Sequence, residues 1–290
     1  MIHSPRIFIG VLTHPSSRFS VAHTKLLSSN LNRAGIVATL EVCKENLIEN
    51  SWKSVTRRIA MVSAVEYGLL RIQWYRQLSK RSTAALGFLL ASAHLLKELV
   101  SLLLPGGLER TRRSMIRLRN ISLAHARLWH QAMVSESEWI LMLEDDAYPT
   151  DSTTLELDLL KIIEYLEEKI ENTSGIYCDA SLSYSSQQLG VRTLDNPCLL
   201  TSTQTLYTVE KPFTNTLCAV LMSRTFVQTL SAEIHMYLEN PKNGFMPIDW
   251  LVNKYILENE ATQKYRNKFY KIQPGLYVQR SIHAEVQVID

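Results

Sequence analysis

Cysteine is scarce in this chain, and what there is lacks the arrangement that metal or redox chemistry needs. The four cysteines, Cys43, Cys178, Cys198 and Cys218, form no CxxC pair. Their spacing fits neither a zinc site nor a disulfide framework, so they read as small buried residues in a reducing compartment. An excess of one charge is lacking too. The net charge is only +3, which sets nucleic acid aside as the main partner. The opening MIHSPRIFIGVLTHP holds too short an apolar run for a signal peptide, and the protein is expected in the cytoplasm. Without such a signal, the sequon matches Asn120-Ile121-Ser122 and Asn172-Thr173-Ser174 carry no weight. There are no internal repeats and no low-complexity tracts.

What is present is a globular composition. The 290 residues, 46% hydrophobic and 20% charged, suffice for one large α/β domain. Lys and Arg crowd residues 53 to 119, whereas 136 to 171 are acidic. RIFIGVL, 6–12, reads as a buried strand. A helix is expected over 19–33, stopped by Gly35, and IVATLEV, 36–42, as a second strand. That βαβ spacing favours a parallel sheet. Residues 52–104 break the rhythm with almost continuous helix-forming sequence, closed by Pro105-Gly106-Gly107. A helix over about 110–133 and the strand WILML, 139–143, come next. Thr153-Thr154-Leu155-Glu156 reads as a capping box opening a helix to about Glu171. Strands are expected at 176–183 and 216–222, with loop between them and Ser223 capping the helix after the second. Pro247 suits a first helical turn that contains Asp249. FYKIQPGLYVQRS reads as strand-like.

Glu144, Asp145 and Asp146 follow directly on WILML. In open α/β sheets, ligands sit outside the carboxyl ends of the strands. Adjacent acids there repel one another unless a cation lies between them, and carboxylate oxygens suit hard cations such as Mg²⁺ or Mn²⁺. A metal site for a phosphorylated substrate is one reading. A solvated acidic loop is the other.

The stretch NISLAHARLWHQAMVSESEWILMLEDDA resembles the signature of glycosyltransferase family 25, the lipopolysaccharide and collagen galactosyltransferases. Leu123-Ala124-His125, Trp129 and Leu143-Glu144-Asp145-Asp146-Ala147 carry the match, with Ala124 where the family usually has Ser. Asn215 to Ser223, Met246-Pro247-Ile248-Asp249 and Pro274 to Ser281 resemble later segments of the family more loosely. Residues 52–110 look like an insertion that the family does not share.

The resemblance implies an α/β fold of the GT-A type, a Rossmann-like, mostly parallel sheet flanked by helices, with the helical insertion inside a single domain. It implies an inverting transfer of a sugar, galactose by family, from a UDP-sugar to a glycan or lipid-linked acceptor of a surface polysaccharide or lipopolysaccharide. Asp146 would hold Mn²⁺ or Mg²⁺, and a late histidine, His283, would complete the metal shell. Glu144 or Asp145 would face the nucleotide ribose. Arg18 would touch nucleotide phosphate, and His125 would orient the motif loop or the phosphates. Asp249 would be the base that deprotonates the acceptor hydroxyl, with the helix N-terminus favouring its ionised form. Two alternatives stand beside this. One is a nucleotidyltransferase acting on sugar phosphates, although Thr13-His14-Pro15-Ser16-Ser17 lacks the glycine-rich loop such an enzyme uses. The other is an inactive scaffold of the same fold.

TAALGFLLASAHLLKELVSLLL, 83–104, has nearly the length of a membrane span. His94, Lys97 and Glu98 within it are costly at a bilayer centre. With Arg57, Arg58, Arg71, Arg76, Lys80 and Arg81 ahead of it, the segment reads as an amphipathic helix on the inner leaflet. A lid or a homodimer surface is the alternative.

Overall fold

The first strand, β1 (Arg6–Thr13), shows why the core has two faces. Ile7, Ile9 and Val11 point into one apolar cluster, and Phe8 and Leu12 into another. β3 (Trp139–Glu144) repeats this, with Trp139, Leu141 and Leu143 on the first face and Ile140 and Met142 on the second. Side chains alternate along a strand, so a run that is apolar throughout is stable only where both faces are covered.

A computed structural model of the chain describes residues 5–13, 17, 19–44, 56–76, 81–170, 175–182, 193, 198–199, 204–209, 217–240, 243–262 and 267–280, with 44, 81–83 and 260–262 as backbone alone. In chain order, β1 leads to α1 (Ala22–Arg33) and β2 (Val37–Lys44). The helices α2 (Arg57–Arg76), α3 (Arg81–Leu103) and α4 (Gly107–Val134) precede β3 and the short β4 (Ala147–Pro149). α5 (Leu155–Glu167), β5 (Ile176–Asp179), β6 (Cys198–Leu199), β7 (Thr205–Val209) and β8 (Ala219–Ser223) follow. The chain continues through α6 (Arg224–Glu239), α7 (Ile248–Thr262), β9 (Lys268–Gln273) and β10 (Tyr277–Gln279).

Among the described residues the main sheet has eight strands in the order β2-β1-β3-β8-β5-β9-β7-β6, and β10 pairs with β4 in a second, two-stranded sheet. The architecture is α/β and compatible with a Rossmann-like fold. It departs from the expected mostly parallel sheet. β1 runs parallel to β2 and β3, and β5 parallel to β9, but β8 is antiparallel to both of its neighbours, as β7 is. The βαβ unit of β1, α1 and β2 is as expected. β8 enters the centre of the sheet from the opposite end, which is a long-range choice of pairing.

Local signals account for most element ends. Ser223 caps α6 by accepting a hydrogen bond from the Phe226 N–H at 3.4 Å, and it also accepts from Ile176 N at 2.9 Å. Gly106, with φ 72°, makes the left-handed break between α3 and α4. The expected capping box of α5 does not form. Thr153 bonds to Asp151 Oδ1 through N at 2.8 Å and Oγ1 at 2.6 Å, and Thr154 Oγ1 donates to Asp158 Oδ2 at 2.7 Å. Asn120 and Ser122 are buried within α4, so that sequon is closed to glycosylation in the folded chain. Asn172 lies outside the described residues.

The helical insertion is not a detached appendage. Leu70 and Trp74 of α2 join the cluster built on Phe8, Ile140, Trp129 and Trp250. Ala60, Leu102, Met115 and Ile116 form a smaller cluster between α2, α3 and α4. α4 runs unbroken from Gly107 to Val134, so the expected insertion boundary at residue 110 falls inside a helix. α2 and α3 pass close together, and a Cβ at Gly87 would lie 2.2 Å from the Tyr75 ring. α3 itself lies largely on the surface. Ala84–Leu103 is long and apolar enough to cross a membrane by composition, with only 17% of that apolar window buried.

Candidate functional site

β1, β3, β5 and β9 point the same way, so their carboxyl ends share one edge of the sheet. Thr13, Glu144 and Asp179 end the first three of these strands. Leu12 stands opposite Glu144 in register. This brings Thr13 within reach of the acidic turn, and Thr13 Oγ1 donates to Asp145 Oδ2 at 2.7 Å.

The C-terminal segment closes over the turn. β10 pairs antiparallel with β4, with Gln279 opposite Ala147. Gln279 Nε2 donates to Glu144 Oε2 at 3.2 Å, and Arg280 N donates to the Asp146 carbonyl at 2.9 Å. The Arg280 guanidinium stacks 3.6 Å from the centre of the Tyr148 ring, with the His23 ring 4.7 Å away on Tyr148. Asp179 Oδ2 pairs with Lys271 Nζ at 2.5 Å along the same edge.

Asp249 sits in the first turn of α7, and the fold brings it into the field of the acidic turn. Burial pushes the Glu144 carboxyl up to about 8, and Asp146, Asp249 and Asp145 each push it further in that direction. The Asp249 carboxyl is pushed up to about 7 by burial, against the pull of the backbone N–H groups of Trp250 and Asp249 itself. The expectation that the helix N-terminus keeps Asp249 ionised is thus reversed, because desolvation exceeds what the terminal N–H groups return. The Cys218 thiol, buried beside Glu144 and Asp146, is pushed well up and stays protonated.

The insertion supplies the far wall. Tyr67 of α2 meets the Trp250 ring edge-on at 5.5 Å, and Arg71 lies 5.4 Å over Tyr67 and 5.9 Å over Trp250. Asp249 raises the Tyr67 hydroxyl in turn, after burial and against Arg71. The strap 243–247 leading into α7 is fastened to α2. Phe245 N donates to Ser63 Oγ at 2.7 Å, and Glu66 Oε2 accepts from Tyr237 OH at 2.6 Å and from Gly244 N at 3.3 Å. Only glycine fits at 244, where a Cβ would lie 2.5 Å from the Ser63 Cα.

The expected site residues therefore divide. Glu144, Asp145, Asp146 and Asp249 come together. His125 does not join them. It is fully buried in α4, its ring 5.8 Å from that of Trp129, and burial alone lowers it to about 4. It is a neutral core residue, placed there because α4 turns its apolar face to the sheet. Arg18 and His283 lie outside the described residues. Thr13, Tyr148, Gln279, Arg280, Tyr67 and Arg71 complete the surroundings and were not singled out from sequence. The Pro274–Ser281 match pointed to Gln279 and Arg280 as a region. Nothing in the insertion marked Tyr67, and Arg71 was expected in the basic run facing a membrane, whereas it stacks on Tyr67 and Trp250.

Among the described residues no group of three or more His, Cys, Asp or Glu is arranged to hold a metal ion. The residues do not form a closed protein cage. They fit a cation such as Mg²⁺ or Mn²⁺ held by one or two carboxylates, with substrate phosphate and water completing its shell. The mutual repulsion at Glu144 is what such a cation relieves.

A pH prediction follows from Asp249. Its raised value means the folded state holds this proton more tightly than the unfolded chain does. The stability it contributes is complete below the ordinary value of 3.8 and is lost as pH rises through about 7. Asp249→Asn removes that titration. In metal-free buffer, the stability of the wild type relative to Asp249→Asn should fall as pH rises between those values. Urea denaturation of both proteins across that range checks it, and a constant difference contradicts it.

Comparison with known proteins finds no family model that matches the chain and no curated protein that matches it in sequence.

Proposed function

We propose that the protein is a metal-dependent inverting glycosyltransferase that moves a sugar from a UDP-sugar to a glycan acceptor. The observation that supports this most is the convergence of Glu144, Asp145 and Asp146, at the carboxyl edge of the sheet, with Asp249 from a distant helix start. The first group suits a nucleotide diphosphate with its cation, and the second suits an acceptor. The resemblance of these residues to glycosyltransferase family 25 adds the reaction class, and galactose as the sugar.

In this reading Asp146, assisted by Glu144, would hold Mn²⁺ or Mg²⁺, which would supply Lewis-acid stabilisation of the leaving diphosphate. Asp145, fixed by Thr13, faces the ribose. Arg280 and Tyr148 border the diphosphate side. Asp249 takes the proton of the acceptor hydroxyl as that oxygen attacks the anomeric carbon from the face opposite the nucleotide. A carboxyl near 7 is suited to this role, since a base works best when its pKa lies close to the working pH. Tyr67, Arg71 and Trp250 pack around it and keep water from the approach.

The acceptor is proposed to be lipid-linked and the protein to work on an anionic inner-leaflet surface. Leu86, Leu89, Leu96, Val100 and Leu103 are all exposed, recurring at steps of three, four or seven residues along α3, and Leu89 is 64% accessible. Arg57, Arg58 and Arg76 on the adjoining α2 are exposed as well. An apolar helix face beside basic residues is the chemistry of interfacial binding.

Three outcomes are expected. Asp146→Asn should lose Mn²⁺-dependent UDP binding in calorimetry and remain folded. Unchanged metal dependence would remove Asp146 from the site. Asp249→Asn should bind UDP with Mn²⁺ as the wild type does, with turnover reduced about 10²–10⁴-fold. Near-normal turnover excludes it as the base. Liposomes should sediment the protein when they carry anionic lipid, less so as salt is added, since each basic residue at the surface contributes about 1 kcal/mol. Arg57→Gln with Arg58→Gln, or Leu89→Glu with Leu96→Glu, should weaken sedimentation. If the wild type ignores anionic vesicles and sedimentation velocity shows a dimer that Leu89→Glu dissociates, α3 is a subunit interface instead.

A further inference from the structure

A cavity of about 440 Å³ is lined by residues of α2, α3 and α4 together with Phe245 and Pro247. Its size falls in the usual range for small-molecule sites, about 300–1,000 Å³. It is built mostly by the insertion and does not contain the acidic turn. It adjoins that site, though, through two shared elements. Pro247 is two residues ahead of Asp249, and Tyr67, which lines the cavity, packs on Trp250, the residue after Asp249.

The lining decides what the cavity suits. Ser101 and Ser114 contribute hydroxyls, Thr111 Oγ1 donates to the Gly107 carbonyl at 2.9 Å and keeps only acceptor capacity, and His94 lies 3.9 Å from Glu98. Arg110 lines the cavity as well, so it holds one acid and one permanent cation and neither sign dominates. A phosphate or other anion would meet Glu98 as well as Arg110. A fatty chain would strand the hydroxyls and the His94–Glu98 pair away from water without replacement partners. Phe245 and Leu102 offer apolar surface, and the Phe245 ring is held by Arg119 at 5.3 Å. Hydroxyl groups beside an aromatic face and a few aliphatic side chains match a neutral sugar ring, which has polar edges and apolar C–H faces.

We infer that this cavity binds a saccharide unit of the acceptor, placed so that the sugar beyond it reaches Asp249. The assignment rests on the transferase reading for its place in catalysis, and on the cavity alone for its ligand. The insertion then has a positive role, because it selects the acceptor.

The test uses the full chain and three disaccharide probes, lactose, maltose and chitobiose, in saturation-transfer NMR. Ser114 is exposed on α4, and Ser114→Trp plugs the cavity from its rim with little strain on the core. Far-UV circular dichroism and a thermal melt confirm that the variant folds. At least one disaccharide should bind the wild type and should bind Ser114→Trp about tenfold more weakly or worse. UDP binding with Mn²⁺ is read on the same samples. If disaccharide binding survives the plug, or the wild type binds none of the three, the saccharide site is overturned, whatever UDP does. If the plug abolishes disaccharide binding and UDP fails to bind even the wild type, the cavity assignment stands and the transferase reading falls.

Discussion

Like charges held close together by the backbone set the terms for the rest of this molecule. Glu144, Asp145 and Asp146 are consecutive, and α7 delivers Asp249 into the same field. No flexible chain would keep them there. They are held because β3 is buried on both faces, because Thr13 and Gln279 grip two of the side chains, and because Arg280 N bonds the Asp146 backbone. With Glu144 near 8 and Asp249 near 7, protons offset part of the repulsion at neutral pH. A cation offers the other way of offsetting it. On the reading proposed above, a bound cation would displace these protons, because carboxylates must be ionised to hold it.

Sequence patterns revealed the parts of the fold that are decided locally. β1 and β3 were visible because each is a short apolar run bounded by turn or polar residues, too short for a helix and suited to a strand covered on both faces. The Ser223 cap, the Pro105-Gly106-Gly107 break and the start of α7 after Pro247 were visible because each depends on a few neighbouring residues. The direction of β8 was not, since parallel and antiparallel neighbours can bury the same apolar run. The capping box failed because Asp151 and Asp158 compete for the threonine hydroxyls.

The same division runs through the site. The acids were legible as a group because three of them follow a strand. Asp249 was legible only through its Pro-x-Asp context, and the strength of its hold on a proton was not. The argument from the helix end was local and correct in sign, but burial by α2 and the surrounding helices outweighs it. His125 shows the converse. Its four-residue spacing from Trp129 correctly put both on one helical face, yet spacing does not say whether that face meets a ligand or the core. Tyr67 left no trace in the pattern, and Arg71 read only as one of a run of basic residues, because their place beside Asp249 depends on where a separate segment, the strap 243–247, is tied.

That strap has a consequence for any attempt to reshape the protein. Ser63 and Glu66 sit one turn apart on α2 and hold the backbone that positions Asp249. A deletion or duplication of a single helical turn in α2 would slide these two anchors by about 5.4 Å, with Gly244 pressed against the helix and unable to follow. The helical hairpin consequently behaves as a ruler built into the chain. From Ala60 to Trp74 it is calibrated to the residue, so it cannot be excised, transplanted or re-spaced as a cassette.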